Sequence, residues 1–177
     1  MINSTALRYK DETDRAYGVA GMTIAMVLWD GESYLASVSL DTPIGNSIEF
    51  TPAFGFSGNP RLMASLAWRE LLKQYEMISA MLMGNALCRS SVYGATSMNS
   101  EKKQALQALI KEEGHERCSL EDDEIELIYT RILRNLDRAF SHPGVAGLAR
   151  SLAETLQRRR RLTASEVFEI LEVLNRM

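Results

Sequence analysis

Met77–Cys88 reads MISAMLMGNALC, and only Ser79 and Asn85 among these residues are polar. The stretch belongs to a predicted helix that begins at Asn59-Pro60, a favourable cap followed by a favourable first position, and runs to about Arg89. Its inward stripe consists of Leu62, Leu66, Leu71, Tyr75, Ile78 and Leu82. A helix segment that is apolar on nearly every side is buried on nearly every side. We therefore predict that this is the central helix of the fold.

The residues before this helix predict one more helix and a β-hairpin. Apolar side chains recur at helical spacing from about Asp14 to Leu28, and a turn follows at Asp30-Gly31. Residues 34–40 then alternate in the two-residue period of a half-buried strand. A second strand over residues 48–57 places three aromatic side chains on one face: Phe50, Phe54 and Phe56. Pro52 interrupts this run and indicates an edge strand or a bulge.

The residues after the central helix predict four helices. Gly94–Ser100 has the composition of a connector. The helices run from Ser100 to about Glu113, with Gly114 as the stop, from a Ser119 cap to Phe140, from about Val145 to Arg161, and from about Ala164 onward. The second of them has an apolar stripe of Ile125, Ile128, Ile132, Leu136 and Phe140. The predicted class is mostly α (α+β), with an α+β subdomain over 1–94 and a helical subdomain over 99–177, or one continuous domain.

Composition narrows the class of protein further. The chain has 177 residues, a net charge of -3 and two cysteines, Cys88 and Cys118. Two cysteines in dissimilar segments fit free thiols in a reducing compartment, which predicts a cytoplasmic location. The longest uncharged stretch, residues 16–29, is shorter than the ~18 residues needed to cross a bilayer, so no membrane partner is predicted.

Other residues must pack against the hairpin, because two strands alone are only marginally stable in water. No other strand is predicted in the chain, so the sheet must pack on helices or pair with a second copy, and we expect a homodimer. Phe50, Phe54 and Phe56 form the candidate self-association face. The same aromatic face could stack a flat ligand, although aromatic residues on a small sheet more often supply its core.

The strongest local charge feature is the run Arg158, Arg159, Arg160 and Arg161. On a helix that precedes a short turn and another helix, it could dock on a phosphate backbone, which makes it a candidate nucleic-acid or partner surface. Three observations weigh against nucleic acid. The helix macrodipole favours arginines in a last turn, and the acidic run from Glu121 to Glu126 could neutralise the cluster. The next helix is itself acidic on its exposed side.

Two residues are candidates for chemistry. Cys88 precedes Arg89, whose charge could activate the thiol, but Cys88 also ends an apolar run, which predicts burial. Glu112 and His115 have the spacing of carboxylate-bridged di-iron helices, but that architecture needs the motif twice and the chain has two histidines in all. No phosphate loop, dinucleotide fingerprint or closed zinc ligand set occurs, so no cofactor or metal is predicted.

By elimination, the sequence predicts a non-enzymatic interaction or regulatory module that self-associates and that could also bind another protein. A nucleic-acid-binding accessory protein using Arg158–Arg161 is the first alternative. An enzyme with Cys88 or His115 in its site is the second.

Overall fold

The structure, a computed structural model, describes residues 8–55, 64–94, 97–172 and 174. These ranges form six α-helices and one three-stranded antiparallel sheet. The helices are α1 Glu12–Leu28, α2 Ala64–Leu87, α3 Ser100–Cys118, α4 Asp122–Ser141, α5 Pro143–Arg159 and α6 Ala164–Leu171. The strands are β1 Leu35–Ser39, β2 Ile48–Phe50 and β3 Arg161–Thr163. The predicted mostly helical α+β class, with an N-terminal helix, a hairpin and four C-terminal helices, is confirmed.

The second half of α2 lies in the core, and α1, α3 and α4 pack against it. Its crossing with α1 depends on two glycines. A Cβ atom on Gly21 would lie 2.2 Å from the carbonyl oxygen of Gly84, and one on Gly84 would lie 2.6 Å from that of Gly21. Only glycine permits two backbones to approach this closely. The predicted start of this helix, at Asn59-Pro60, lies outside the described residues.

The sheet has the order β2-β1-β3, and β1 is antiparallel to both neighbours. β3 is the strand that the sequence did not predict. The predicted helix through Arg161 is wrong, because α5 ends at Arg159 and Arg160 has a φ of 66°. Leu162 in β3 is fully buried opposite Val38 in β1. Because arginine is a good helix former, the run itself does not signal this break. The hairpin therefore finds its third strand within the chain.

The α3–α4 connection is shorter than the sequence indicates. Gly114 does not end α3; it is buried where a Cβ atom would lie 2.9 Å from both Ile125 and the Tyr75 hydroxyl, and the helix continues to Cys118. Ser119 ends the helix in the left-handed region with a φ of 50°. The cap of α4 is Glu121, which forms a capping box with Glu124.

Several contacts join residues before and after the connector. α1 packs on α5, α2 packs on α4, and β1 pairs with β3. None of the helices in the described ranges is long and apolar enough to cross a membrane.

Candidate functional site

The four arginines of the predicted charge cluster lie on three different elements. Arg158 and Arg159 are in the last turn of α5, Arg160 follows the helix, and Arg161 begins β3. The backbone turn at Arg160 therefore separates side chains that a continuous helix would have presented together.

Three of these arginines form ion pairs within the fold. Arg159 pairs with Glu166, Arg160 pairs with Glu12 and, at 2.8 Å, with Asp41, and Arg161 pairs with Glu49 at 2.7 Å. The four carboxylates come from α6, α1, the segment after β1, and β2. The acidic run at the start of α4 takes no part: its Asp122 pairs with Lys111, and its Glu126 accepts a hydrogen bond from Gln107. The cluster holds the sheet to three helices, and its charge is largely compensated.

The aromatic residues of the hairpin form a small cluster. Phe50 stacks on Phe54 with 4.1 Å between ring centroids, and Tyr34 contacts Phe54 edge-on at 5.7 Å. Both phenylalanines are half-buried and pack against the core. β2 ends at Phe50, and a short 3₁₀ turn carries Phe54, because Pro52 cannot continue the ladder. Phe56, the third residue of the predicted face, lies outside the described residues.

Cys88 and His115, the two candidates for chemistry, lie in different surroundings. Cys88 is fully buried, and burial raises the pKa of its thiol to about 12, so the nucleophilic thiolate is scarce at neutral pH. Arg89 extends away to another partner. The His115 ring lies 2.9 Å from the Leu120 carbonyl oxygen and 3.0 Å from an Asp122 carboxylate oxygen, so it joins the end of α3 to the start of α4.

Arg89 forms the most buried ion pair in the described ranges. Its Nε and one terminal nitrogen donate to the two carboxylate oxygens of Asp14 at 2.8 and 2.7 Å, and both side chains are at most 5% exposed. The same guanidinium donates to the Arg8 carbonyl oxygen at 2.8 Å and lies 4.7 Å from the Tyr9 ring centroid. Through these contacts Arg89 joins α1 and the segment before it to the residues that follow α2, and no local sequence pattern indicates this pair.

The segment Cys88–Tyr93, which holds Arg89, is π-helical. Such widened turns are rare and frequently occur at functional sites. On one side it faces the buried ion pair, and on the other side Ser90 and Ser91 line a groove between α3 and α4. No feature of the apolar run before Cys88 distinguishes a π-helix from an ordinary helical turn.

The outer face of α4 carries an exposed apolar side chain where the helical pattern predicts polar ones. The inner residues of this helix are buried as the amphipathic pattern predicts. On the opposite side Leu127 is 73% exposed, whereas a second leucine of the helix, Leu136, is fully buried. We define the outer face of α4 by the residues that recur at three- and four-residue spacing around Leu127: Glu124, Leu127, Arg131, Arg134 and Arg138.

Shallow concavities border this face. One of about 340 Å³ is formed by Leu127 itself with Ile128 and its neighbours on α4. Another of about 320 Å³ is lined by Leu28 and Trp29 from the end of α1 and by Asn135 and Ala139 of α4. Leu28 is a further exposed apolar side chain, at 39%. Arg131, which pairs with Glu76, lines both concavities, so the exposed leucine lies on a surface that is partly apolar and partly charged.

Charge is distributed unevenly along the outer face of α4. Its first turn carries Asp122, Asp123 and Glu124, and its later turns carry three arginines. Arg131 pairs with Glu76 of α2 at 2.5 Å. Arg134 and Arg138 make no ion pair with any residue that the structure describes. The face therefore has an acidic end and a basic end.

In the described part of the chain, no three metal-binding side chains come together at one place. One signal could have pointed to the outer face of α4: Leu127 is an apolar residue outside the stripe that the helical period assigns to the core. Comparisons with protein-family models, with curated proteins and with solved structures find no match to this chain.

Proposed function

We propose that this protein is a non-enzymatic interaction module that self-associates through the outer face of α4. The observation that carries the proposal is Leu127, which is 73% exposed beside a shallow concavity and on the same face as Arg134 and Arg138, which pair with no described carboxylate. A single exposed leucine is normal on a protein surface. An apolar side chain within a grooved surface that also carries charge is typical of a protein–protein interface.

The charge pattern favours a second copy of the chain as the partner. We consider two α4 helices that pack antiparallel about a two-fold axis at Arg131. Each residue then faces the residue of the other copy whose number, added to its own, gives 262. Glu124 of one copy then faces Arg138 of the other, so the acidic end of each helix meets the basic end of its partner. A two-fold interface is self-complementary, and the two ends of this helix have the required pattern. The two Arg131 side chains that meet at the axis each pair with Glu76 of their own copy.

The same arrangement accounts for the apolar surface. Leu127 of each copy faces Asn135 of the other and enters the concavity that Asn135 and Ala139 share with Leu28 and Trp29. The footprint is small. A helix of about 20 residues is ~30 Å long and ~10 Å wide, or roughly 300 Å² per copy, against the ~800 Å² of a standard interface. We therefore expect a weak dimer, with a dissociation constant between roughly 10 μM and 1 mM.

Sedimentation velocity and light scattering over about 5 μM to 1 mM test this proposal. The average mass should rise with concentration, and added salt should weaken the association because the end pairs are exposed. Leu127→Asp should leave a monomer throughout. Ile44→Asp is the matched control, since Ile44 is 72% exposed on the loop between β1 and β2. A wild-type mass that stays monomeric over this range, or equal behaviour of the two variants, would refute the proposal.

A charge exchange tests the antiparallel geometry separately. Arg138→Glu and Glu124→Arg should each weaken association, and the double variant should restore it, because residue 124 of each copy then faces an opposite charge at residue 138 again. Glu124 also accepts a hydrogen bond from the Glu121 backbone N–H, so circular dichroism should confirm that the Glu124 variants keep the fold. A double variant that associates no better than the single ones would show that the two helices do not pack in this register.

Nucleic-acid binding through Arg158–Arg161 is the weaker proposal, because three of these arginines already have carboxylate partners. Fluorescence anisotropy with duplex and single-stranded DNA at low salt examines it. A response that Arg134→Gln or Arg138→Gln removes would instead assign nucleic acid to the outer face of α4.

A further inference from the structure

A groove of about 400 Å³ lies between α3 and α4, on a floor made by the end of α2 and the π-helical segment. Pockets that bind small molecules have ~300–1,000 Å³ and are mostly apolar with a few polar groups. This groove has that composition. Leu106 and Tyr129 are buried in its walls, and Met98 and Leu133 are half-buried beside them.

The polar groups of the groove carry positive charge. Lys103 of α3 and Arg134 of α4 line it, and Asp137 is the single carboxylate among its lining residues. Neither cation forms an ion pair or a side-chain hydrogen bond within the described ranges. A pair of cations and one carboxylate leaves a net charge of one positive unit, which an anionic group would complement.

A tyrosine in the wall of the groove adds a hydrogen-bond donor. Tyr129 is 7% exposed, and its hydroxyl forms no hydrogen bond with any described residue. Burial, and then the nearby charge of Glu126, raise the pKa of this tyrosine, so it stays protonated and can donate at neutral pH. The hydroxyl is accessible to water, and an acceptor that enters the groove would take the place of that water.

We infer that this groove binds a small amphipathic carboxylate, with its apolar body against Leu106 and Leu133 and its anionic group near Lys103 and Arg134. At the ~30 Å³ that a water molecule occupies in the liquid, the groove accommodates roughly a dozen non-hydrogen atoms. Decanoate has about that size and is the probe. The groove shares Arg134 with the outer face of α4, but the inference does not depend on self-association.

Calorimetric titration of the full chain with decanoate, below its micellar concentration, tests the inference. Decyltrimethylammonium has the same chain and the opposite charge, and it should bind at least tenfold more weakly. Lys103→Gln should weaken decanoate binding about threefold to tenfold. Ser91→Trp should abolish it by filling the mouth of the groove, with circular dichroism to confirm the fold. Lys73→Gln, an exposed lysine on α2 outside the groove, should have no effect.

The outcomes separate this inference from the proposed dimer. Leu127→Asp should bind decanoate like the wild type, because Leu127 does not line the groove. Equal binding of the anion and the cation, or unchanged binding in Lys103→Gln, would overturn the inference. So would an absence of binding at 1 mM decanoate, a concentration at which even a weak specific site is about half filled.

Discussion

Replacing Arg89 with methionine should be among the most destabilising changes possible in this protein. The substitution keeps much of the apolar stem but removes both donors to the Asp14 carboxylate, at 2.8 and 2.7 Å. Asp14 is fully buried, and it then keeps the hydrogen bond from the Lys10 backbone N–H at 2.9 Å. The segment before α1 also loses the hydrogen bond that Arg89 donates to the Arg8 carbonyl oxygen.

The expected cost follows from the charge that remains. Removing one partner of a buried, hydrogen-bonded ion pair typically costs about 3–5 kcal/mol, because the other charge stays without compensation. A protein of this size loses roughly 2–4 °C in Tm per kcal/mol, so Tm should fall by roughly 6–20 °C. The double variant Asp14→Leu, Arg89→Met leaves no buried charge and should recover a large part of this loss.

The pH dependence of the stability lost in Arg89→Met is a second, independent test of the ion pair. Burial alone would raise the pKa of Asp14, but the hydrogen bonds from Arg89 and from the Lys10 backbone outweigh it and hold the pKa below its ordinary value. A lowered pKa contributes stability above the unfolded value of about 3.9, and this stability is lost as the pH falls through the folded value. Without Arg89, burial dominates and raises the pKa. The cost of Arg89→Met should therefore be smaller at pH 4 than at pH 7.

Urea unfolding followed by circular dichroism at both pH values measures these quantities. Arg117→Met is the matched control, because its ion pair with Glu113 joins two side chains on the surface of α3. Exposed pairs contribute about 0–1 kcal/mol. A cost below about 1 kcal/mol for Arg89→Met, or an equal cost for the control, would refute the reasoning.

Three further expectations concern separate parts of the fold. Gly84→Ala should destabilise the protein by about 1–3 kcal/mol or more in urea unfolding, because the new Cβ atom meets the Gly21 backbone rather than a flexible side chain. The Cys88 thiol should resist a thiol reagent at neutral pH until the protein unfolds, and rapid native reaction would contradict its burial. The Asp122 carboxyl should titrate below its ordinary pKa by NMR because Lys111 donates to it, and Lys111→Gln should raise that pKa.

The parts of the fold that sequence could predict are those where one local pattern decides the outcome. The apolar run before Cys88 predicts a buried helix because no side of it suits water. The capping box at Thr163 and Glu166 predicts the start of α6, and the structure has both of its hydrogen bonds. In each case residues within one or two turns of one another contain the whole signal.

The parts that sequence missed depend on partners far away in the chain. β3 exists because Leu162 finds a buried place opposite Val38, which lies more than a hundred positions earlier. Asp14 reads as one of several acidic residues near the start of the chain, and only its contact with Arg89 makes it a core residue. The ion pairs that compensate Arg159, Arg160 and Arg161 are likewise absent from any local window.

The proposed interface belongs to neither group, because the fold does not require it. Leu127 has most of its surface in water, so it contributes little of the free energy that burying a leucine would supply. Leu127→Asp should therefore leave the free energy of unfolding of the monomer within about 0.5 kcal/mol of its wild-type value. Stability and association become separable at this residue, whereas at a buried residue such as Ile132 a loss of association would follow from unfolding. If Leu127→Asp lowers the mass at constant stability, the outer face of α4 is an interface. If it lowers both, Leu127 has a role within the monomer and the proposal fails.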